Sequence, residues 1–251
     1  MPVTAIGPMI LQPLRGSHHL AACIRASVSF RFSPAETQPL RISLRSAMSQ
    51  TMSPSVIKQL DEQSLGAVEA MRRAVESLEM TADDLAEWGI IGSPRQPGRE
   101  RTVDAIESFR EKGPFGVSPH MVPQCGLHSM AGILSQAFGM HGPCMGAGGR
   151  TCGVAEAVTV ALGWLFGEDL EGVWLVLSQR VPGEGSTETD TEVLALALAR
   201  ETGDSLPDFD SQTARAAAPD ITFDRLRRAM KAPGSWSLTV PGLGLLHGDN
   251  R

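Results

Sequence analysis

The amino-acid sequence predicts an α/β fold in which a mixed sheet of about five strands is covered by helices on both faces. Residues 173–177 form a short, continuously apolar run, which is typical of a strand that is buried on both faces. Segments with helical periodicity alternate with such runs along the chain. A glycine-rich stretch at 146–153 then separates a predicted strand from a predicted helix, as expected for a sharp turn.

The first fifty residues carry the weakest signals. Residues 3–7 form a short β-branched run that ends in glycine, which predicts a strand. Residues 16–26 combine small residues with Leu20 and Ile24 and predict a helix. Residues 31–51 show no clear period, so we expect a loop there.

The next segments carry clear signals. A serine followed by proline at the start of residues 53–78, with apolar residues near the 3.6 period, predicts one long helix. A short helical turn opens at 81–84, and residues 89–92 predict a short central strand. Residues 98–112 predict an amphipathic helix. The residues expected on its inward face are Val103, Ile106 and Phe109.

The region around the glycine-rich turn repeats the alternation of helix and strand. Residues 129–138 predict a helix whose small residues permit close packing, and residues 144–148 predict a strand. After the turn, residues 153–165 predict a buried helix, and 173–177 the apolar strand. Residues 192–199 are interpreted as a further core strand, although their composition also permits a helix.

The chain divides into a main unit, residues 1–200, and a C-terminal part, residues 201–251. Residues 204–219 are typical of a linker, and residues 221–230 predict a short amphipathic helix. The remaining tail, residues 235–251, holds apolar residues among glycines and predicts one last strand.

Composition limits the classes of function. The 251 residues carry a net charge of −6, whereas general nucleic-acid binding is usually accompanied by a basic surface, so we expect no nucleic-acid partner. No apolar run approaches the length of a membrane span. The cysteines show no CxxC spacing and no secretory context, which favours reduced thiols and a cytoplasmic location. Neither a metal site nor a cofactor is expected.

The turn at 146–153 is the strongest candidate for chemistry. Its glycines allow backbone amides to approach a ligand, and the helix that follows directs its free N–H groups at Thr151 or Cys152. A thiol in that place has a lowered pKa and is a better nucleophile. The turn does not match a phosphate-binding loop, because Arg150 occupies the position of the required lysine. It does not match a dinucleotide-binding fingerprint either, because Thr151 occupies the position of the last glycine.

Residues on both sides of this turn resemble the N-terminal half of a β-ketoacyl synthase of the thiolase superfamily. The match runs over about thirty residues, in which the order and spacing of the motifs are those of the family. The matching residues are Ser118-Pro119, Pro123, the small-residue helix at 128–132, Phe138-Gly139 and Gly142-Pro143. The resemblance implies one half of a thiolase-like fold.

The resemblance also implies where a catalytic cysteine would be. Counted without gaps from Gly142-Pro143, the position of the family's nucleophile falls on Thr151, and a one-residue bulge would place Cys152 there instead. His128, in the helix before the strand, is a further candidate, more readily explained as a packed or interface histidine. The family's second half supplies further catalytic residues, commonly two histidines, whereas His247 is the one histidine after Cys152.

A half-length chain of this kind resembles the short, chain-length-factor-like subunits of type II polyketide systems, including those for aryl polyenes. Such subunits pair with an active synthase and need no nucleophile. The resemblance therefore implies a non-catalytic subunit in fatty-acid or polyketide assembly, a full-length ketosynthase and an acyl carrier protein as partners, and a homo- or heterodimer. The alternatives are a divergent acyl-transferring enzyme that uses Cys152, and a degenerate protein with no acyl role.

Overall fold

The computed structural model describes residues 8–13, 20–118, 125–148, 153–167, 170–183, 188–200, 221–240 and 244–250. Within them, the strands are β1 Pro8–Pro13, β2 Leu20–Phe32, β3 Gly89–Pro94, β4 Cys144–Gly146, β5 Gly172–Pro182, β6 Thr189–Arg200, β7 Gly234–Val240 and β8 Gly244–Asn250. The helices are α1 Thr37–Ala47, α2 Pro54–Gln59, α3 Glu62–Leu78, α4 Ala82–Ala86, α5 Arg99–Lys112, α6 His128–Phe138, α7 Gly153–Gly167 and α8 Phe223–Lys231. Short 3₁₀ turns lie at Pro34–Glu36 and Gly113–Gly116.

All the described strands belong to one mixed sheet, in the order β4-β3-β5-β6-β2-β1-β8-β7. The strands β4, β3 and β5 are parallel, and the remaining pairs are antiparallel. The first four strands of this order are predicted from the sequence, and β2, β1, β8 and β7 extend the mixed sheet to eight strands. The predicted strands at 89–92, 144–148, 173–177 and 192–199 share this sheet, whereas the one predicted at 3–7 lies outside the described residues.

Helices cover both faces of the sheet, as predicted. On one face, α3 packs on β2, β5 and β6, and α6 packs on β3 and β4, around buried residues such as Leu65, Met71 and Trp174. The helix α1 packs beside α3, and α2 packs beside α1. On the other face, α7 packs mainly on β3, β5 and β6, and α8 packs on β7, around a second apolar core. The fold is therefore a layered α/β structure whose sheet separates two cores.

The helix predicted at 16–26 is wrong, because residues 20–32 form β2. This strand pairs with β6 along most of its length, and a register shift between Ile24 and Ala26 interrupts the pairing. The extra residue, Arg25, is exposed, and the shift turns Ile24 towards one core and Ala26 towards the other. Pairing with a buried neighbouring strand thus overrides a local composition of small residues, which favours a helix.

Three further predictions need correction. The expected loop at 31–51 contains the end of β2 and the helix α1, which buries Leu40 and Leu44. The single helix expected at 53–78 is two helices, because Leu60 is extended and the carboxylate of Asp61 caps a new helix by accepting the N–H of Ser64 at 2.7 Å. The tail forms a hairpin of two strands, β7 and β8, rather than one strand.

The inward face predicted for α5 is also wrong. Val103, Ile106 and Phe109 are 47%, 46% and 52% exposed, and this helix packs on the 3₁₀ turn that follows it. Periodicity marks an apolar stripe on a helix but does not say which surface the stripe meets.

The described part of the C-terminal region belongs to the same sheet and core as the rest of the chain. The helix α8 buries Phe223, Leu226 and Met230 in the second core, where Leu238 of β7 and Leu246 of β8 also lie. The linker predicted at 204–219 lies outside the described residues. Among the described helices, none has the length and apolar character needed to cross a bilayer.

Candidate functional site

The glycine-rich turn joins the edge strand β4 to the start of α7. Gly148 has a left-handed backbone with φ of +92°, and a Cβ placed on it would lie 2.4 Å from the Cα of Gly153. The backbones of the two glycines are therefore in contact. Residues 149–152 lie outside the described part of the chain.

Close packing of glycines holds the strand that leads into this turn. A Cβ on Gly146 would lie 2.3 Å from the backbone carbon and oxygen of Leu127, and one on Gly92 would lie 2.9 Å from the backbone nitrogen of Ala131. The strands β3 and β4 therefore meet the start of α6 with their backbones almost in contact. The sequence predicted that small residues of the helix at 129–138 permit close packing. In the structure, Ala131 of that helix and the glycines of β3 and β4 together allow this approach.

The structure places His128 at the first turn of α6, beside the strand that enters the turn. Its Nε2 lies 4.0 Å from the Sγ of Cys144, and its side chain borders a groove of about 470 Å³ between α6 and the junction of α2 with α3. Burial raises the pKa of the Cys144 thiol, and a hydrogen bond with Ser135 opposes this only in part. Cys144 is therefore a protonated thiol at neutral pH and a poor nucleophile.

A polar cavity of about 290 Å³ opens beside the turn, on the side of the second core. It lies at the carboxyl ends of β3 and β5 and reaches the first residues of α7 and α8. The residues around it include Ser93, Arg95, Gly153, Gln179 and Asp224. Polar side chains at the carboxyl ends of parallel strands are a frequent location for ligand sites in α/β proteins.

Hydrogen bonds organise the walls of this cavity from both cores. The buried hydroxyl of Ser178 donates to Oε1 of Gln63 at 2.7 Å, and Nε2 of Gln63 donates to the backbone oxygen of Arg95 at 3.1 Å. Nε2 of Gln179 lies within hydrogen-bond distance of Glu192 and of Asp224, at 3.3 and 3.1 Å. These bonds tie α3 and α8 to the ends of β3, β5 and β6.

A buried ion pair fixes α8 over the cavity. The carboxylate of Glu192 is 2% exposed, and its Oε1 lies 2.5 Å from the guanidinium of Arg227. Arg227 also lies 4.0 Å from Asp224, in the first turn of the same helix. The C-terminal region is thus attached to the sheet by charge as well as by apolar packing.

The three site residues predicted from the sequence have different outcomes. His128 is described and lies beside Cys144, whereas Thr151 and Cys152 lie outside the described residues, with Cys152 directly before the first residue of α7. Sequence reasoning missed the cavity residues Ser93, Ser178 and Gln179. Each of these residues comes at the end of an apolar run that forms a strand. That position in the sequence is the signal that could have identified them.

No protein-family model and no curated protein matches the chain. Solved structures do match in fold. One is a ketosynthase in complex with its chain length factor from Xenorhabdus doucetiae. The sequence identity is 13% and the TM-score is 0.52, and the alignment covers 90% of this chain and 98% of that chain. Another, the ishigamide ketosynthase/chain length factor, is 12% identical at a TM-score of 0.51, over 77% of this chain. The alignment spans 62% of the ishigamide chain, which is less than two thirds of its length. The fold of this chain is therefore that of ketosynthases and chain length factors.

Proposed function

We propose that the chain is a non-catalytic, ketosynthase-like subunit that pairs with a full-length ketosynthase and works with its acyl carrier protein. The observation that carries the proposal is the match to a chain from a complex of a ketosynthase with its chain length factor. Because the alignment covers 90% of this chain and 98% of that one, the two are of similar length. A subunit of that length needs a partner to supply what a second half would provide.

The position of the one histidine after Cys152 supports a non-catalytic role. His247 lies in β8, the seventh strand in the order of the sheet, whereas the glycine-rich turn follows β4, the first strand. Six strand spacings separate them, which amounts to roughly 29 Å across the sheet. A histidine in that strand is too far from the turn to act as a general base there.

The C-terminal region supports the same proposal in another way. A lone half of a two-half protein exposes the apolar face on which the other half packs. Here α8 and the β7–β8 hairpin contribute buried residues to that second core, and the pair formed by Glu192 and Arg227 holds the helix in place. The chain covers this face of its sheet with its own residues, which leaves the partner to supply catalytic groups rather than this core.

Co-expression with a full-length ketosynthase from the same organism tests the proposal. We expect a one-to-one complex in size-exclusion chromatography with light scattering. The edge strand β4 carries Met145, which is 38% exposed, and the partner is proposed to contact this edge. Met145→Arg should therefore reduce complex formation, whereas Ile42→Arg, at a 66% exposed position on α1, should leave it unchanged. A chain that elutes alone beside the synthase would contradict the proposal.

A second candidate, an acyl-transferring enzyme, is favoured by the position of Cys152 directly before α7. A thiolate there would attack the carbonyl carbon of an acyl thioester. The acyl group would pass to the sulfur of Cys152, and the carrier thiol would leave with a proton. We expect no such adduct in intact-mass analysis after incubation with an acyl carrier protein thioester. A stoichiometric adduct that is lost in Cys152→Ala and kept in Cys125→Ala would make the enzyme the leading candidate.

A further inference from the structure

The cavity beside the turn contains a buried hydroxyl that is not used by the fold. Ser93, the fifth residue of β3, is 7% exposed and borders the cavity. Its Oγ lies 3.1 and 3.2 Å from the positions that Cβ atoms on Gly148 and Gly153 would occupy. Within the described part of the chain, this hydroxyl has no hydrogen-bond partner. The hydroxyl opens onto the cavity and is therefore free to form a hydrogen bond with a ligand there.

A cation lies at the rim of the same cavity. Two hydrogen bonds hold the backbone of Arg95. Its N–H donates to the backbone oxygen of Ser178 at 2.8 Å, and its carbonyl oxygen accepts from Nε2 of Gln63. The position from which its side chain extends is thereby set. The guanidinium itself is exposed and has no ion pair or hydrogen bond to any residue that the structure describes.

The start of α7 completes one wall. The described part of this helix begins at Gly153, and both Gly153 and Val154 line the cavity. The positive end of the helix dipole therefore lies at this wall. Gly153 has no side chain to cover that end. A negatively charged group is stabilised at such a helix start.

The opposite wall is acidic, which limits where an anion can bind. The carboxylate of Asp224 accepts a hydrogen bond from Gln179 at 3.1 Å and faces Arg227 at 4.0 Å. Its charge is therefore compensated in part, but it still repels a second negative charge. The side of Ser93, Arg95 and Gly153 is therefore the part of the cavity that favours a negative charge.

We infer that this cavity is a binding site for a small oxyanion, either a phosphate group or a carboxylate. The hydroxyl of Ser93 and the first amides of α7 donate hydrogen bonds to its oxygens, and Arg95 closes the site as a counter-ion. The inference goes beyond the proposed function and does not depend on it, because it concerns a site within the single chain.

Titration of the full-length, ¹⁵N-labelled chain with inorganic phosphate, and separately with acetate, tests the inference at constant ionic strength. We expect saturable shifts of the amide signals of Gly153 and Val154. Arg95→Gln should raise the dissociation constant about tenfold, and Ser93→Ala about threefold or more. Arg99→Gln removes an equal charge from an exposed arginine outside this cavity and should change the constant less than twofold.

The two titrations also identify the chemistry of the ligand. Saturation by phosphate alone, by acetate alone or by both supports the site and names its class of ligand. The absence of saturation by either anion would overturn the inference, as would equal shifts with chloride. Equal dissociation constants in the unchanged chain and in Ser93→Ala and Arg95→Gln would also overturn it. Because the hydroxyl of Ser93 forms no hydrogen bond with any described residue, Ser93→Ala should fold normally and keep its melting temperature.

Discussion

Replacing Arg227 by alanine is expected to lower the free energy of unfolding by about 3–5 kcal/mol, the usual cost of removing one partner from a buried ion pair. The reason is the burial of the other partner. Glu192 is 2% exposed, and without Arg227 its carboxylate keeps, among the described residues, only the amide of Gln179, at 3.3 Å. The loss should loosen α8 first, because this pair joins that helix to β6.

Urea unfolding followed by circular dichroism measures this effect. Arg228→Ala is the matched control, since Arg228 is the next residue of α8 and is exposed. Among the described residues, its guanidinium donates only to the backbone oxygen of Asp224, at 3.3 Å. We expect that control to change stability by less than about 0.5 kcal/mol. The double variant Arg227→Met with Glu192→Leu should recover most of the loss, because it leaves no buried charge. A loss in Arg227→Ala no larger than that in Arg228→Ala would contradict the role of the pair.

Replacing Gly146 by alanine is expected to cost about 3 kcal/mol, at the upper end of the penalties for overpacking. The added methyl group would lie 2.3 Å from the backbone of Leu127 and 2.5 Å from the backbone nitrogen of His128. Backbone atoms cannot rotate out of the way as the end of a side chain can. Either β4 or the start of α6 must move, and the turn that follows β4 must move with it.

Chemical unfolding of Gly146→Ala, compared with Gly163→Ala, separates this clash from the general effect of losing a glycine. Gly163 lies within α7, and apart from its chain neighbours and the backbone of its own helix no atom lies within 4 Å of an added methyl group. Alanine there should raise stability by about 0.5–1 kcal/mol, as usual for a glycine inside a helix. If the two variants showed the same stability, the close contact of β4 with α6 would not exist.

Local signals were sufficient for much of the chain. The serine and proline at 53–54 predicted a helix start, and Ser53 caps α2 through Val56. The apolar run at 173–177 predicted a buried strand, which is the centre of β5. In each case a few neighbouring residues contain the physical cause, either a cap or an unbroken apolar surface.

The wrong predictions share a physical reason, namely that distant residues decide them. Residues 20–26 have the composition of a helix, but β6 offers a partner strand along their length. The apolar stripe of α5 has a clear period, yet which surface it meets depends on the packing of the whole molecule. Propensity is a weak prior in both cases, because packing contributes more free energy than local preference.

By itself, the sequence determined the α/β class, the strand and the helix on either side of the glycine-rich stretch, and the resemblance that led to the ketosynthase fold. These depend on residues that are close together in the chain. Only the tertiary structure decided the eight-stranded order of the sheet and the cavity at the ends of β3 and β5. It also decided the ion pair between Glu192 and Arg227, which are thirty-five positions apart. Such features arise where distant segments meet, and the spacing of residues along the chain does not encode which segments those are.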